Sequence, residues 1–81
     1  MIPPRIKNVK ALDDFFLEII YVNGEKKLYN MKPDLSLNCY TNLKNISYFK
    51  LAKSANTTIE WPNGEDIDPN ALYEKSIPIA P

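Results

Sequence analysis

The chain of 81 residues has no histidine and a single cysteine, Cys39. One cysteine cannot form a disulfide within the chain, and we expect it to be a small buried apolar residue. Without histidine, Cys/His zinc sites, Ser-His-Asp triads and Cys-His dyads are excluded. No nucleophile has a base spaced to activate it. We therefore expect no enzyme, no cofactor and no bound metal.

A net charge and a long apolar run are also missing. Basic and acidic residues number 10 each, so the formal net charge is zero, and no overall field draws the chain to nucleic acid or to an anionic membrane. Residues 1–5 do not begin a signal peptide. No apolar run approaches the ~20 residues that cross a bilayer. These absences predict a cytoplasmic protein without a membrane contact.

What the chain does contain is a regular succession of β-prone runs, turn signals and short helical patterns. At this length it forms one domain, residues 1–81, which buries only roughly 60% of the surface of the unfolded chain. We place the core in residues 5–75, with extended, proline-containing ends at residues 1–4 and 76–81. The order is strands, short helices, strands, helix. It predicts an α+β fold: a small antiparallel sheet of about five strands, in two hairpins, with about two to three short helices.

The strongest short-range signal is Asn23-Gly24, which lies between two β-prone runs and predicts a hairpin. With a two-residue loop, Tyr21 faces Lys26, and this register assigns every side chain to a face. The predicted core face holds Leu17, Ile19, Tyr21 and Leu28. The second face is more apolar than a solvated sheet surface should be, so it is a candidate interaction surface. Its candidate contact residues are Phe16, Ile20, Val22 and Tyr29.

The middle of the chain predicts short helical turns followed by a second hairpin. Residues 35–48 have apolar side chains at nearly helical spacing, but their asparagines favour short turns, one of which Asn45 caps. Residues 49–53 alternate like a strand, with Phe49 and Leu51 inward. Residues 57–61 return antiparallel to them, with Ile59 and Trp61 inward.

The densest turn chemistry lies in residues 61–69, which we call the corner. Its sequence is Trp61-Pro62-Asn63-Gly64-Glu65-Asp66-Ile67-Asp68-Pro69. Pro62 ends the strand, Asn63-Gly64 accepts positive φ, and Asp68-Pro69 is typical of a helix N-cap and first helical position. The carboxylates of the corner could bind a hard cation, but their spacing does not fit a calcium loop. We favour a solvated turn with one capping aspartate.

The corner also carries the most specific part of a family resemblance. The chain resembles the domain-of-unknown-function 2442 family of small bacterial proteins over roughly residues 6–73. The family pattern Trp-Pro-Asn-Gly-x-Asp-hydrophobic-x-Pro is met at every fixed position: Trp61, Pro62, Asn63, Gly64, Asp66, Ile67 and Pro69. The strand at residues 17–21, the turn at 23–25 and residues 28–31 add to it, as do residues 43–45 with Phe49. In two places, Asn30 and Asn45, an asparagine replaces the aspartate of the family pattern.

The resemblance implies a small α+β domain and no particular chemical activity. For members that stand alone, it implies a partnership with a small neighbouring protein of the toxin–antitoxin kind. We therefore predict a protein-interaction module, antitoxin-like or regulatory, whose partner is another small protein. The last third of the sequence contains several acidic residues and a single basic one, Lys75. This excess of negative charge would suit a partner with a basic surface. A homodimer through the exposed sheet is a further hypothesis.

Alternatives from other functional classes stay open. Five lysines with two tyrosines could form a basic, aromatic sheet that binds single-stranded nucleic acid, although zero net charge argues against direct binding. That set is Lys7, Lys10, Lys26, Lys27, Lys32, Tyr21 and Tyr29. Alternatively, Trp61 with Asn63 and Asp66 holds a small polar ligand, although a core tryptophan is the commoner arrangement. The weakest alternative is acid–base catalysis by Glu60, Asp66 or Asp68.

Overall fold

The structure, a computed structural model, describes residues 2–79 and confirms a small α+β fold. Met1, Ala80 and Pro81, which the sequence assigns to extended ends, lie outside the described residues. Along residues 2–79, no helix is both long and apolar enough to cross a membrane. In chain order the elements are β1 (Ile6–Ala11), β2 (Phe16–Tyr21), β3 (Lys26–Asn30), two 3-10 segments (Lys32–Ser36 and Asn38–Lys44), α1 (Ile46–Phe49), β4 (Lys53–Ala55), β5 (Thr58–Glu60), α2 (Pro69–Lys75) and β6 (Ile77–Pro78).

The strands form two antiparallel sheets. One has four strands in the order β1-β2-β3-β6, and the other is the β4–β5 hairpin. Two hairpins are present, as predicted, but the first strand of the second one is β4, Lys53–Ala55, instead of residues 49–53. The fourth strand comes from residues 76–81, which the sequence describes as an extended end: Ile77 pairs with Leu28, and the Ile79 N–H donates to the Lys26 carbonyl at 2.8 Å. The last described residues of the chain therefore form an edge strand of the four-stranded sheet.

The β2–β3 loop differs from the predicted one by a single residue. The Tyr21 N–H donates to the Glu25 carbonyl at 2.8 Å, and the Gly24 N–H donates to the Tyr21 carbonyl at 3.0 Å. The loop therefore has three residues, and its last one, Gly24, takes the left-handed conformation at φ 92°. Ile20, rather than Tyr21, lies opposite Lys26.

This shift moves the side chains of β3 to the other face, because side chains alternate with a period of two. Tyr29, predicted on the interaction surface, is in the core with 4% of its surface exposed. Leu28, predicted in the core, lies on the opposite face. The predicted positions of Leu17, Ile19 and Tyr21 in the core are confirmed, and all three are fully buried.

The core lies between one face of the four-stranded sheet and the helical segments. The helical segments contribute Leu43, Phe49 and Leu72 to it, so they pack on the same side of the sheet. The remaining buried members are Ile6, Leu17, Ile19, Tyr21, Tyr29, Met31, Ile59, Trp61 and Ile67. Each large apolar side chain that is fully buried contributes about 1.5–3 kcal/mol to stability. The opposite face of the sheet contributes no member to this core.

Residues 35–48 are short helical turns, as predicted, and Asn45 caps α1 by accepting a hydrogen bond from the Ser47 N–H at 3.0 Å. The strand predicted at residues 49–53 is wrong. Phe49 is buried but ends α1, where it lies one turn after Ile46 on the same helix face, and Leu51 is 53% exposed. Cys39, predicted to be buried, is exposed. The helical backbone is interrupted at Tyr40, so the helical spacing of apolar residues does not continue through this segment.

Candidate functional site

The face of the four-stranded sheet opposite the core is the first candidate site, and we call it the open face. Strand alternation in β2 and β3 identifies its members, since the residues between them are buried, and the pairing with these strands adds the residues of β1 and β6. Leu28 lies opposite Glu18 on one side and Ile77 on the other. The members are Asn8, Lys10, Phe16, Glu18, Ile20, Lys26, Leu28, Asn30 and Ile77. Within residues 2–79, the helical layer covers the other face.

An apolar stripe crosses the open face. Phe16 and Ile20 are the diagonal neighbours of Leu28 across the β2–β3 pair, within reach of side-chain contact. These three side chains are partly buried by their neighbours, whereas Ile77 beside them is 65% exposed. Val22 lies in the hairpin loop and is 59% exposed. Phe16, Ile20 and Val22 of the predicted surface are thus accessible, while Tyr29 is not.

The sequence misses two members of this stripe, and each for a traceable reason. Leu28 lies on the open face only because the three-residue loop shifts the register of β3 by one position. Ile77 stands next to Pro78 in a segment that the sequence treats as a tail. The alternation of Ile77 and Ile79 around that proline is the signal that could have indicated an edge strand, where proline is tolerated.

Lysines surround the apolar stripe. The Lys26 ammonium lies 3.8 Å from a carboxylate oxygen of Glu18, and Lys10 is directly opposite Glu18 on β1. The Lys32 ammonium lies 5.4 Å from the centroid of the Phe16 ring. Such exposed pairs contribute only about 0–1 kcal/mol to stability. Their consequence is electrostatic: Lys10 and Lys26 on the face and Lys32 beside it outnumber Glu18 and give this surface a positive character.

A shallow cavity of about 360 Å³ opens at the hairpin end of the sheet. Ile20 and Lys26 of the open face line it together with the hairpin loop and the last described strand. Its lining residues are Ile20, Gly24, Glu25, Lys26, Pro78 and Ile79. The cavity therefore lies where the open face meets the hairpin loop and the last described strand.

The basic, aromatic sheet that the sequence offers for nucleic acid does not form. Tyr21 and Tyr29 are buried in the core, and so is Lys27, at 7% exposed. The Lys27 ammonium donates to the Tyr73 carbonyl at 2.7 Å and lies 3.7 Å from the centroid of the Tyr73 ring. The register shift explains this, because it turns Lys27 and Tyr29 inward together.

The corner is the second candidate site, and its tryptophan is a core residue. Trp61 is 1% exposed, stacks on Phe49 at 5.9 Å between ring centroids, and donates its indole N–H to the Phe49 carbonyl at 2.9 Å. The predicted cap is also present: the Asp68 carboxylate accepts from the Ala71 N–H at 2.9 Å, with Pro69 as the first residue of α2. The corner thus joins β5 to α2.

The corner loop repeats the β2–β3 loop. The Trp61 N–H donates to the Glu65 carbonyl at 2.9 Å, and the Gly64 N–H donates to the Trp61 carbonyl at 2.9 Å, with Gly64 at φ 97°. Both loops have the sequence aromatic-x-Asn-Gly-Glu, at residues 21–25 and 61–65. We call them the twin loops. In each, the aromatic residue is buried and the glutamate ends the loop.

A tyrosine hydroxyl holds the glutamate of each twin loop. Tyr73 donates to Glu25, and Tyr48 donates to Glu65 at 2.7 Å. The hydrogen bonds from Tyr73 and Asn23 lower the pKa of Glu25. Desolvation opposes ionisation of Glu65, but the hydrogen bonds to its carboxylate outweigh it, and its pKa is lowered as well.

Other polar groups of the corner are also used within the fold. The second carboxylate oxygen of Glu65 accepts from the Asn42 amide at 3.1 Å, and the Asp66 carbonyl accepts from the Tyr40 hydroxyl at 2.7 Å. A polar hollow of about 540 Å³ lies beside them, lined by Cys39, Tyr40 and residues 64–69. In the part of the chain that the structure describes, no cluster of acidic or cysteine side chains could hold a metal ion. The contacts of Glu65 and Asp66 join the corner to the second 3-10 segment and to α1.

Comparison with known proteins gives a single result. No curated protein and no solved structure matches the chain. The model of the family described as "Protein of unknown function (DUF2442)" matches residues 6–78. The match begins at β1, includes both candidate sites and reaches the end of β6. Since it covers most of the sequence, the chain belongs to the DUF2442 family.

Proposed function

We propose that this chain is a protein-interaction module whose contact surface is the open face. The observation that carries the proposal is the apolar stripe of Phe16, Ile20, Leu28 and Ile77 on a sheet whose helices pack on the other side. Contiguous exposed apolar surface rimmed by polar residues is typical of interaction sites. A second layer supplied by another protein would remove this surface from water.

The partner in this proposal is another small protein, and the chain acts in the cytoplasm as its antitoxin-like or regulatory subunit. The role is binding without catalysis. Two features of the corner support that choice over a ligand-sensing or enzymatic one. Trp61 is buried in the core, and the carboxylates of Glu65 and Asp68 are held by hydrogen bonds within the fold.

A pull-down of the tagged full chain from its own cells, followed by mass spectrometry, tests the contact surface. We expect one small, stoichiometric companion protein with the wild-type chain and its loss with Ile20→Asp, which places a charge in the apolar stripe. Leu51→Asp is the matched control, because Leu51 is 53% exposed and lies outside the open face. Circular dichroism must show that both variants fold. A companion retained by folded Ile20→Asp contradicts the proposed surface.

Growth measurements test the antitoxin-like role. The companion is expressed alone and then with each variant of the chain. We expect the companion alone to slow growth, and rescue by the wild type and by Leu51→Asp but not by Ile20→Asp. A companion that is harmless on its own would restrict the role to a regulatory subunit. Light scattering of the purified chain decides the homodimer hypothesis: a dimer that Ile20→Asp dissolves would mean that a second copy occupies the open face.

A further inference from the structure

We propose that the segment docking on the open face is an acidic amphipathic helix of the partner protein. The inference rests on the proposed function, because it names the chemistry recognised by the same surface. It follows from the sheet edges, the dimensions of the face and the charge around the apolar stripe.

The edges of the four-stranded sheet do not favour addition of a partner strand. Along β1, the Ile6 N–H donates to the Asn56 carbonyl at 2.7 Å, and the Ile6 carbonyl accepts from the Ser54 hydroxyl at 3.1 Å. The β4–β5 hairpin therefore occupies part of that edge. At the other edge, β6 has two residues, and Pro78 has no N–H to donate. Strand addition depends on such main-chain bonds, so a partner must use the side chains of the face.

The dimensions of the open face fit one short helix. Four strands spaced about 4.8 Å apart span roughly 14 Å from the first to the last. A helix of about ten residues is about 15 Å long. The stripe that this helix would cover runs from β2 to β6 through Ile20, Leu28 and Ile77. Covering a sheet with helices is also how the core face of this domain is closed.

The charge around the stripe selects an acidic helix. Lys10, Lys26 and Lys32 surround the apolar side chains, and Glu18 opposes them alone among the described residues of the face. Lysine stems can lie along an apolar surface while their ammonium groups reach outward. A helix with leucine or isoleucine on one side and glutamate or aspartate along its flanks satisfies both the stripe and the lysines. Such complementarity steers association and selects among partners.

The same charges argue against the other occupants. In a two-fold dimer the same patch is used twice, so two sets of these three lysines would be brought together with only two copies of Glu18 to offset them. Single-stranded nucleic acid would match the lysines but requires aromatic platforms for its bases. Tyr21 and Tyr29 are buried, and Phe16 is then the aromatic side chain of the face. Phosphates would also leave Leu28 and Ile77 without an apolar partner.

The test titrates the ¹⁵N-labelled full chain with designed helical peptides, monitored by amide chemical shifts. The peptides share a leucine face and differ in flanking residues: glutamate, glutamine or lysine. A single-stranded oligothymidylate with as many charges as the glutamate peptide is the rival probe. We expect the glutamate peptide to bind most tightly and to shift the amides of β2, β3 and β6.

Variants of the lysines then test the charge selection. Lys10→Glu/Lys26→Glu is expected to weaken the glutamate peptide about tenfold and to favour the lysine peptide. Lys10→Gln/Lys26→Gln, which adds no repulsion to Glu18, is expected to weaken it about threefold. Lys44→Glu/Lys75→Glu has the same net charge as the first variant but changes exposed lysines of the helical layer, and should bind like the wild type.

Each contrary result has a distinct meaning. Equal binding of the glutamine and glutamate peptides at the open face would overturn the acidic partner and leave the proposed function standing. Tighter binding of the oligothymidylate at these strands would overturn it in favour of nucleic acid. Concentration-dependent dimerisation that excludes the peptides would overturn it in favour of a second copy. If no peptide shifts the open face, the inference is wrong, and the Ile20→Asp pull-down still decides the proposed function separately.

Discussion

At the scale of single residues, two buried tyrosines show that burial and hydrogen bonding contribute separately to the stability of the fold. Tyr21 is fully buried, and none of the residues 2–79 pairs with its hydroxyl; burial raises its pKa to about 12. Tyr29 is 4% exposed, and its hydroxyl donates to the Asp34 carboxylate at 2.6 Å. Both side chains lie on the core face of the same hairpin. A buried polar group without a partner costs free energy, whereas a paired one does not.

Removing each hydroxyl should therefore have opposite effects. We expect Tyr21→Phe to leave the free energy of unfolding unchanged or to raise it by up to about 1 kcal/mol. We expect Tyr29→Phe to lower it by about 1 kcal/mol, since the Asp34 carboxylate loses its donor. Urea denaturation of both variants beside the wild type provides the measurement. Destabilisation by Tyr21→Phe as large as that by Tyr29→Phe would mean that the Tyr21 hydroxyl is hydrogen-bonded in solution.

At the scale of secondary-structure elements, the twin loops are two copies of the same turn structure. In both, an Asn-Gly pair forms the end of a three-residue loop, and glycine takes a positive φ that other residues adopt at a cost of about 1–2 kcal/mol. Asn-Gly also occurs in two-residue loops, so local sequence indicates a turn without fixing its length. The hydroxyls of Tyr73 and Tyr48, which hold Glu25 and Glu65, come from distant parts of the chain.

These loops show how far sequence predicts the fold and the site. The hairpins, the Asp68 cap and the buried Trp61 follow from local chemistry, and the structure confirms them. The composition of the open face does not follow from local chemistry, because a difference of one residue in loop length decides whether Leu28 or Tyr29 faces the core. Ile77 joins the face through the pairing of β6 with β3, and the local alternation around Pro78 indicates a strand without identifying its distant partner.

The tyrosine–glutamate pairs predict acid sensitivity. The pKa values of Glu25 and Glu65 are lower in the folded chain than the ordinary 4.5. The unfolded chain therefore binds protons first as the pH falls. The stabilisation is complete above about pH 4.5 and is lost as the pH drops through the lowered values. We expect Tyr48→Phe to weaken this dependence, measured as the free energy of unfolding at pH 6 and at successive values below 4.5. An unchanged slope would show that the Tyr48 hydroxyl does not act on Glu65 in solution.

At the scale of the whole molecule, the last third of the chain completes the sheet and also carries half of the acidic residues. Helix α2 packs on the core face, and β6 is the fourth strand of the sheet. Ser76 therefore links the helical layer directly to the strand that adds Ile77 to the open face. Lysines then dominate the open face, while Glu65, Asp66 and Asp68 cluster at the corner. A chain without net charge thus presents surfaces of opposite character, which net charge alone does not indicate.

Lys27 is the residue that fastens this last third to the sheet. Its ammonium is buried and binds the Tyr73 carbonyl of α2, while its strand pairs with β6 at Pro78. Hydrogen bonds to a charged group contribute about 1.5–3 kcal/mol. We therefore expect Lys27→Met, which keeps the length of the side chain, to lower the free energy of unfolding by about 2 kcal/mol. Lys75→Met, at an exposed position, is the control and should stay within about 0.5 kcal/mol of the wild type.

Amide hydrogen exchange locates the effect of Lys27→Met. The Leu72 N–H donates to the Asp68 carbonyl within α2, and the Ile79 N–H donates to the Lys26 carbonyl at β6. If Lys27 holds both elements, these amides exchange faster in Lys27→Met by a larger factor than the amides of β1 and β2. The open face would then lose Ile77 along with β6, so Lys27→Met should also weaken partner binding, although Lys27 lies on the opposite face. Uniform acceleration of all amides would instead assign Lys27 to global stability, without a particular part in closing the sheet.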